Sequence, residues 1–119
     1  MNFSEVVLYC TDTERSRRWY ERAGFTYRHG HEDMHWFGAG AVGLMLHPSE
    51  GKPEGRTPQF YCVVEDVDRS FAAAVEAGFA PTSHQRKGQT LDAPITTPWG
   101  TREFELTDPD GHVWGFRDK

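Results

Sequence analysis

An internal repeat constrains this chain more than any other feature. Asp12-Thr13-Glu14-Arg15-Ser16 is matched 54 positions further on by Asp66-Val67-Asp68-Arg69-Ser70, and Ala23-Gly24-Phe25 by Ala77-Gly78-Phe79. Self-similarity at a fixed spacing marks a duplicated structural unit. A copy of about 55 residues buries too little surface to stand alone, so two copies must pack on one another or on a second chain.

Each copy reads as β-α-β-β-β. Glu5-Val6-Val7-Leu8-Tyr9-Cys10 is β-branched and aromatic, as strands prefer. Thr11 or Asp12 caps the helix that follows, with Thr11-x-x-Glu14 reading as a capping box. That helix runs to about Ala23 and places Ser16, Trp19, Tyr20 and Ala23 on one stripe, with Gly24 as the left-handed C′ residue. Strands follow at 25–30, 34–38 and 42–47, the last two joined by Gly38-Ala39-Gly40. Residues 48–58 are rich in Pro, Gly and charge and read as a crossing loop.

The pattern then restarts with a strand at 59–65, Asp66 as N-cap, a helix at 67–77, a short strand at 79–84 and a polar loop at 85–93. The chain closes on a hairpin. Strand-like runs at 101–107 and 112–116 flank Asp108-Pro109-Asp110-Gly111, in which Pro pre-sets φ, Asp bonds its own backbone and Gly supplies positive φ. The expected organisation is a single domain over 1–119, with module one at 1–50, a linker at 51–57 and module two at 58–119.

Composition narrows the function classes. A hydrophobic content of 37% with 13% aromatics suits a packed core and excludes disorder, while the absence of long apolar runs argues against a membrane span. A net charge of −5 argues against nucleic-acid binding, which needs a basic surface to displace counterions. Met1-Asn2-Phe3-Ser4-Glu5 lacks the basic start of a secretory leader, and Cys10 and Cys62 sit in apolar strands. Both features fit buried thiols in a reducing cytoplasm.

Two modules with "strand, Asp, helix, Ala-Gly-Phe" starts and an Asp-Pro-Asp-Gly hairpin near the C-terminus resemble the vicinal oxygen chelate superfamily. This is the group of glyoxalase I, bleomycin and fosfomycin resistance proteins and extradiol dioxygenases. The resemblance covers nearly the whole chain. It implies an α+β fold in which two βαβββ modules form an incomplete eight-stranded barrel around a cup that holds the site. It also implies a homodimer.

Metal-dependent members of that superfamily place ligands at the first residue of each module's first strand and near the middle of each module's last strand. Carried over, these positions are Glu5, Met45, Gln59 and Gly115. Divalent Mn, Fe, Ni or Zn wants imidazole and carboxylate. Glu5 qualifies and Gln59 is a weak neutral ligand, but Met45 is soft and Gly115 has no side chain. The expectation is therefore no metal cofactor. In the alternative, one divalent metal binds through Glu5, His47 and Gln59.

Strand alternation places Glu5, Val7, Tyr9, Gln59, Tyr61, Val63, Met45, Gly115 and Arg117 on the cup side. Trp36 and Trp99 join Tyr9 and Tyr61 as candidate walls of an aromatic groove. Pro98-Trp99-Gly100 resembles the Trp-Gly segment that contributes to the drug groove of bleomycin resistance proteins. Glu5, Gln59 and Arg117 are the candidate polar groups. Such rings stack on planar and cationic ligands.

The expected function is metal-free binding of a bulky aromatic or cationic small molecule in a groove of a homodimer. The alternative is a metal-dependent lyase, isomerase or dioxygenase. Two further clusters receive the bland reading. His29, His31, Glu32, Asp33 and His35 are expected to be exposed or at the groove rim around a hairpin tip at Glu32-Asp33, with a metal patch as the alternative. Glu103 and Glu105 alternate as on a solvated strand face, with acid–base chemistry as the alternative.

Overall fold

A computed structural model of the chain describes residues 1–52, 54–55 and 57–119; the expected linker contains Pro53 and Arg56, which lie outside the described residues. The elements are β1 (Glu5–Cys10), α1 (Thr13–Arg22), β2 (Thr26–His31), β3 (Met34–Ala39), β4 (Val42–Pro48), β5 (Phe60–Val63), α2 (Val67–Glu76), β6 (Ile95–Thr96), β7 (Arg102–Thr107) and β8 (Val113–Arg117). They build two four-stranded sheets, ordered β1-β4-β3-β2 and β5-β8-β7-β6. In each sheet the first strand lies parallel to the last, and the other pairings are antiparallel. One compact unit comprises Met1–Thr57 with Asp108–Gly111, and the other Pro58–Thr107 with His112–Lys119.

Both helices start and stop by the same local chemistry. Asp12 and Asp66 are extended N-caps, and their carboxylates accept from the backbone N–H of Arg15 and Arg69, each at 3.0 Å. A cap of this kind is worth about 1 kcal/mol. At the other end, Gly24 (φ +103°) and Gly78 (φ +94°) sit where a side chain would be strained. Gly24 N bonds Glu21 O and Phe25 N bonds Tyr20 O, and the second helix repeats this with Gly78 to Val75 and Phe79 to Ala74. These paired bonds are Schellman motifs. The capping box expected at Thr11 and Glu14 does not form, because Asp12 takes the cap and Thr11 is engaged elsewhere.

In the first unit α1 buries Thr13, Ser16, Trp19 and Tyr20 over β3 and β4. Their partners from the sheet are Leu8, Cys10, Phe37, Leu44 and Leu46, all buried. Tyr20 meets Phe25 edge-on at 5.3 Å and Phe37 at 5.9 Å between ring centroids. Ala23, expected on the stripe, is only half-buried. In the second unit Phe71 and Ala74 of α2 pack with Phe104, Leu106, Trp114 and Phe116. Phe104 stacks on Phe116 at 5.2 Å and receives the edge of Phe71 at 5.4 Å.

The Asp108–Gly111 turn forms as its residues dictate. Gly111 N bonds Asp108 O at 3.1 Å, and Asp110 N bonds the Asp108 carboxylate at 2.9 Å. Its carboxylates are not solvated. Tyr20 Oη donates to Asp108 at 2.6 Å, the Thr11 hydroxyl and N–H donate to Asp110 at 2.7 and 3.0 Å, and Ser16 adds a contact at 3.3 Å. The turn is thus bound to the start of α1 through partners 88 to 99 residues away in sequence.

Two expectations need correction. The strand expected at 79–84 shrinks to an isolated bridge between Thr82 and Glu105. Pro81 has no N–H for a ladder, and the edge strand is instead the short β6. His35, expected to be exposed, is buried at 4% exposure. Its ring nitrogens lie 3.1 Å from Tyr27 Oη and 2.8 Å from a Glu14 carboxylate oxygen, on the helix side of β3. His29, His31 and Glu32 are exposed as expected.

Both cysteines are free thiols, Cys10 buried and Cys62 half-buried. Burial pushes the Cys10 thiol up from 9.0 to about 12, with a smaller opposing pull from its hydrogen bond to Ser16. A raised native value stabilises the fold below the unfolded value and is lost as pH rises. Stability should therefore fall between about pH 9 and 12, by up to about 1.4 kcal/mol per unit from this group. Urea midpoints across that range should decline more steeply for the wild type than for Cys10→Ala. Separately, Tyr20→Phe should cost about 1.5–3 kcal/mol in urea unfolding, because it removes a buried hydrogen bond to a carboxylate.

Candidate functional site

Each sheet carries its helix on one face, and the opposite face gathers the residues with chemistry to offer. In the first unit that face has Glu5, Val7 and Tyr9 on β1, Gly43, Met45 and His47 on β4, and Trp36 on β3. The register sets Val7 beside Met45, Met45 beside Trp36 and Tyr9 beside His47. Tyr9 and His47 meet edge-on at 5.5 Å, and His29 stacks on Trp36 at 4.7 Å with 14° between planes. His47 Nδ1 lies 2.8 Å from the Pro48 carbonyl, which can only accept. That contact places the proton on Nδ1 and leaves the lone pair on Nε2.

In the second unit the equivalent face has two rows. Tyr61, Gly115 and Glu105 form one, and Val63, Arg117 and Glu103 the other. The Tyr61 ring lies directly over Gly115: a Cβ built there would stand 2.5 Å from Tyr61 Cε1. Burial, followed by the charges of Glu103 and Glu105, raises the Tyr61 phenol above its ordinary range, while Arg117 pulls the other way. Arg117 Nη1 donates to the Asp118 carbonyl at 3.1 Å. Trp99 sits apart, 61% exposed, on the tight turn that Thr97 and Thr101 close between β6 and β7.

The sequence-predicted residues thus fall into two groups. Glu5, Tyr9, Trp36, Met45 and His47 share the first sheet's open face. Gln59, Tyr61, Gly115 and Arg117 belong to the second, and Trp99 stands on a loop of the same unit. Of the four positions at which the superfamily resemblance implies ligands, Glu5 and Gln59 carry an oxygen donor and Met45 and Gly115 do not. Met45 presents a thioether, the space beside Gly115 is taken by the Tyr61 ring, and Gln59 donates its amide nitrogen to Glu105 at 3.0 Å, a bond that does not use the amide oxygen.

Glu103 and Glu105 are where the solvated-face reading fails. They are 1% and 5% exposed. β7 is an interior strand, paired with both β6 and β8, and Thr82 bonds the Glu105 backbone as well. Glu105 accepts from Gln59 Nε2 and from the His84 backbone N–H at 3.0 Å, and meets His84 Nδ1 in a very short contact. Glu103 Oε2 accepts from the Thr101 hydroxyl at 3.3 Å, while Oε1 has no partner among the described residues. His84 escaped sequence reasoning because it lies in a loop far along the chain from Glu103.

The model of the Glyoxalase/Bleomycin resistance protein/Dioxygenase superfamily matches residues 2–116. This chain therefore belongs to that superfamily. No curated protein matches it in sequence. Among solved structures it is similar to a bleomycin resistance determinant encoded on transposon Tn5, at 19% identity and TM-score 0.69 over 100% of this chain and 98% of that one. A bleomycin-binding protein complexed with bleomycin gives 20% identity and 0.67 over 100% and 98%. Lactoylglutathione lyase from Agrobacterium tumefaciens gives 16% and 0.71 over 98% and 92%. At such identities the likeness is one of fold.

The packing at Gly115 is testable. Gly115→Ala should cost about 1 kcal/mol, the low end for overpacking, because the 46%-exposed Tyr61 can swing aside. In a Tyr61→Ala background the same change should cost almost nothing. Urea unfolding of the four proteins in this cycle measures the coupling.

Proposed function

We propose that this protein binds a bulky aromatic or cationic small molecule, in the manner of a bleomycin-binding protein, without a metal at the superfamily's four ligand positions. The observation that carries this reading is the Tyr61 ring over Gly115, which puts an aromatic wall where a related enzyme would need a ligand side chain. Met45 beside Trp36, and Tyr9 beside His47, give the first sheet a surface of rings and one adaptable thioether suited to flat ligands. Buried carboxylates and a net charge of −5 favour a positively charged ligand. The likeness to a bleomycin complex supports the same class.

The working form in this reading is a homodimer. β1 and β5 are edge strands, and they expose Val7, Tyr9, Tyr61 and Val63. A second copy would cover such apolar edges. Two free thiols suit a reducing, cytoplasmic setting. No helix among the described residues is long and apolar enough to cross a membrane.

Tryptophan fluorescence tests the proposal. Titration with bleomycin, then with a panel of planar cationic antibiotics, should give saturable quenching that excess chelator leaves unchanged. Trp36→Ala or Trp99→Ala should weaken affinity about tenfold, equivalent to about 1.4 kcal/mol of lost stacking. No saturable quenching by any of these ligands, or affinity unchanged in both variants, would overturn the assignment. Metal-dependent turnover of a lactoylglutathione-type substrate, abolished by Glu5→Gln, would establish the lyase alternative instead.

A further inference from the structure

We propose that His84, Glu103 and Glu105 form a divalent-metal site on the second sheet, separate from the four positions used by related enzymes. One ligand atom from each of the three residues lies within 4.8 Å of the others. Glu103 and Glu105 stand two residues apart on the same face of β7, so both carboxylates project to one side of the sheet. His84 comes from the loop that bridges to β7 at Thr82.

The unmet group is Glu103 Oε1. It is buried, and no hydrogen-bond donor among the described residues reaches it. Nor does it stand in an ion pair. Among the described residues Glu105 has only His84 as an ion-pair partner and Glu103 has none. Arg117, across the ladder from Glu103, gives its Nη1 to the Asp118 carbonyl. Two carboxylates buried side by side, with one imidazole on Glu105, are costly as anions unless a cation joins them. A water could satisfy the orphaned oxygen but would supply no charge.

The remaining contacts already resemble the outer shell of a metal centre. Gln59 Nε2 and the His84 N–H each hold one oxygen of Glu105, and the Thr101 hydroxyl holds Oε2 of Glu103. These bonds orient the ligands and leave Glu103 Oε1 unpartnered, while His84 Nδ1 and Glu105 Oε2 already meet within the cluster. Ligand atoms around such an ion stand about 3–4.3 Å apart, so a small side-chain adjustment closes the set. The donor set is one imidazole and two carboxylates. It selects Mn, Fe(II), Co or Zn over the all-oxygen preference of Ca and Mg or the thiolate preference of Cu(I). The His84 side chain is 42% exposed, which gives an ion a way in.

Calorimetry on the untagged chain, stripped with chelator, tests the site with ZnCl2 and MnCl2 alone. The wild type should bind one ion per chain and gain thermal stability from it. Glu103→Gln and His84→Ala should each weaken binding about tenfold or more, at least the loss expected when an outer-shell partner is removed. Glu5→Gln should leave it unchanged. Without metal, Glu103→Gln should melt no lower than the wild type, because the amide removes a buried carboxylate that stands in no ion pair among the described residues. That control separates loss of the ligand from loss of the fold. The proposal fails if the wild type takes up neither ion, if binding survives both Glu103→Gln and His84→Ala, or if Glu5→Gln abolishes it.

Discussion

Each four-stranded sheet in this chain has one ten-residue helix, and a helix of that length covers one face. Everything else follows from that limit. Strand alternation must send apolar side chains toward the helix, and it does so with Leu8, Cys10, Leu44 and Leu46 in one unit and Phe104, Leu106, Trp114 and Phe116 in the other. The opposite face is then free of the demand for a uniform core. It is where Glu5, Met45, Trp36, Tyr61, Glu103 and Glu105 reside, and where any binding or chemistry must be built.

The two modules share their local helix-end chemistry and differ on their open faces. The aspartate caps and the left-handed glycines of the two helices are the same to within a few degrees. The open faces differ completely. Met45 pairs with Trp36 in the first sheet, whereas at the matching place in the second Gly115 pairs with Glu105. One face is aromatic and soft, the other anionic. A single scaffold repeated twice therefore presents two chemistries.

Legibility from sequence followed the range of the interactions. Strand β1, both helix ends and the Asp108–Gly111 turn were readable because their causes lie within a few residues of one another. Alternation also assigned the helix-facing sides of β1, β4, β5 and β8. What escaped were the long-range partners. The turn aspartates are bonded by Tyr20, Thr11 and Ser16 rather than by water, and His35 is held by Tyr27 and Glu14. Pro81 broke the short strand expected at 79–84, which is reduced to a bridge at Thr82. The acidic pair on β7 looked solvated because nothing nearby in sequence reveals that the strand is interior to its sheet.

We propose that a divalent cation binds on β7 rather than at the positions that hold metal in related enzymes. Anomalous diffraction from crystals soaked in manganese or zinc tests it most directly, because it locates the ion rather than merely counting it. The account predicts one peak bonded to Glu103, Glu105 and His84, with none on Glu5 or the Gln59 amide oxygen. A peak on Glu5 or Gln59, with the β7 carboxylates bare, would contradict it.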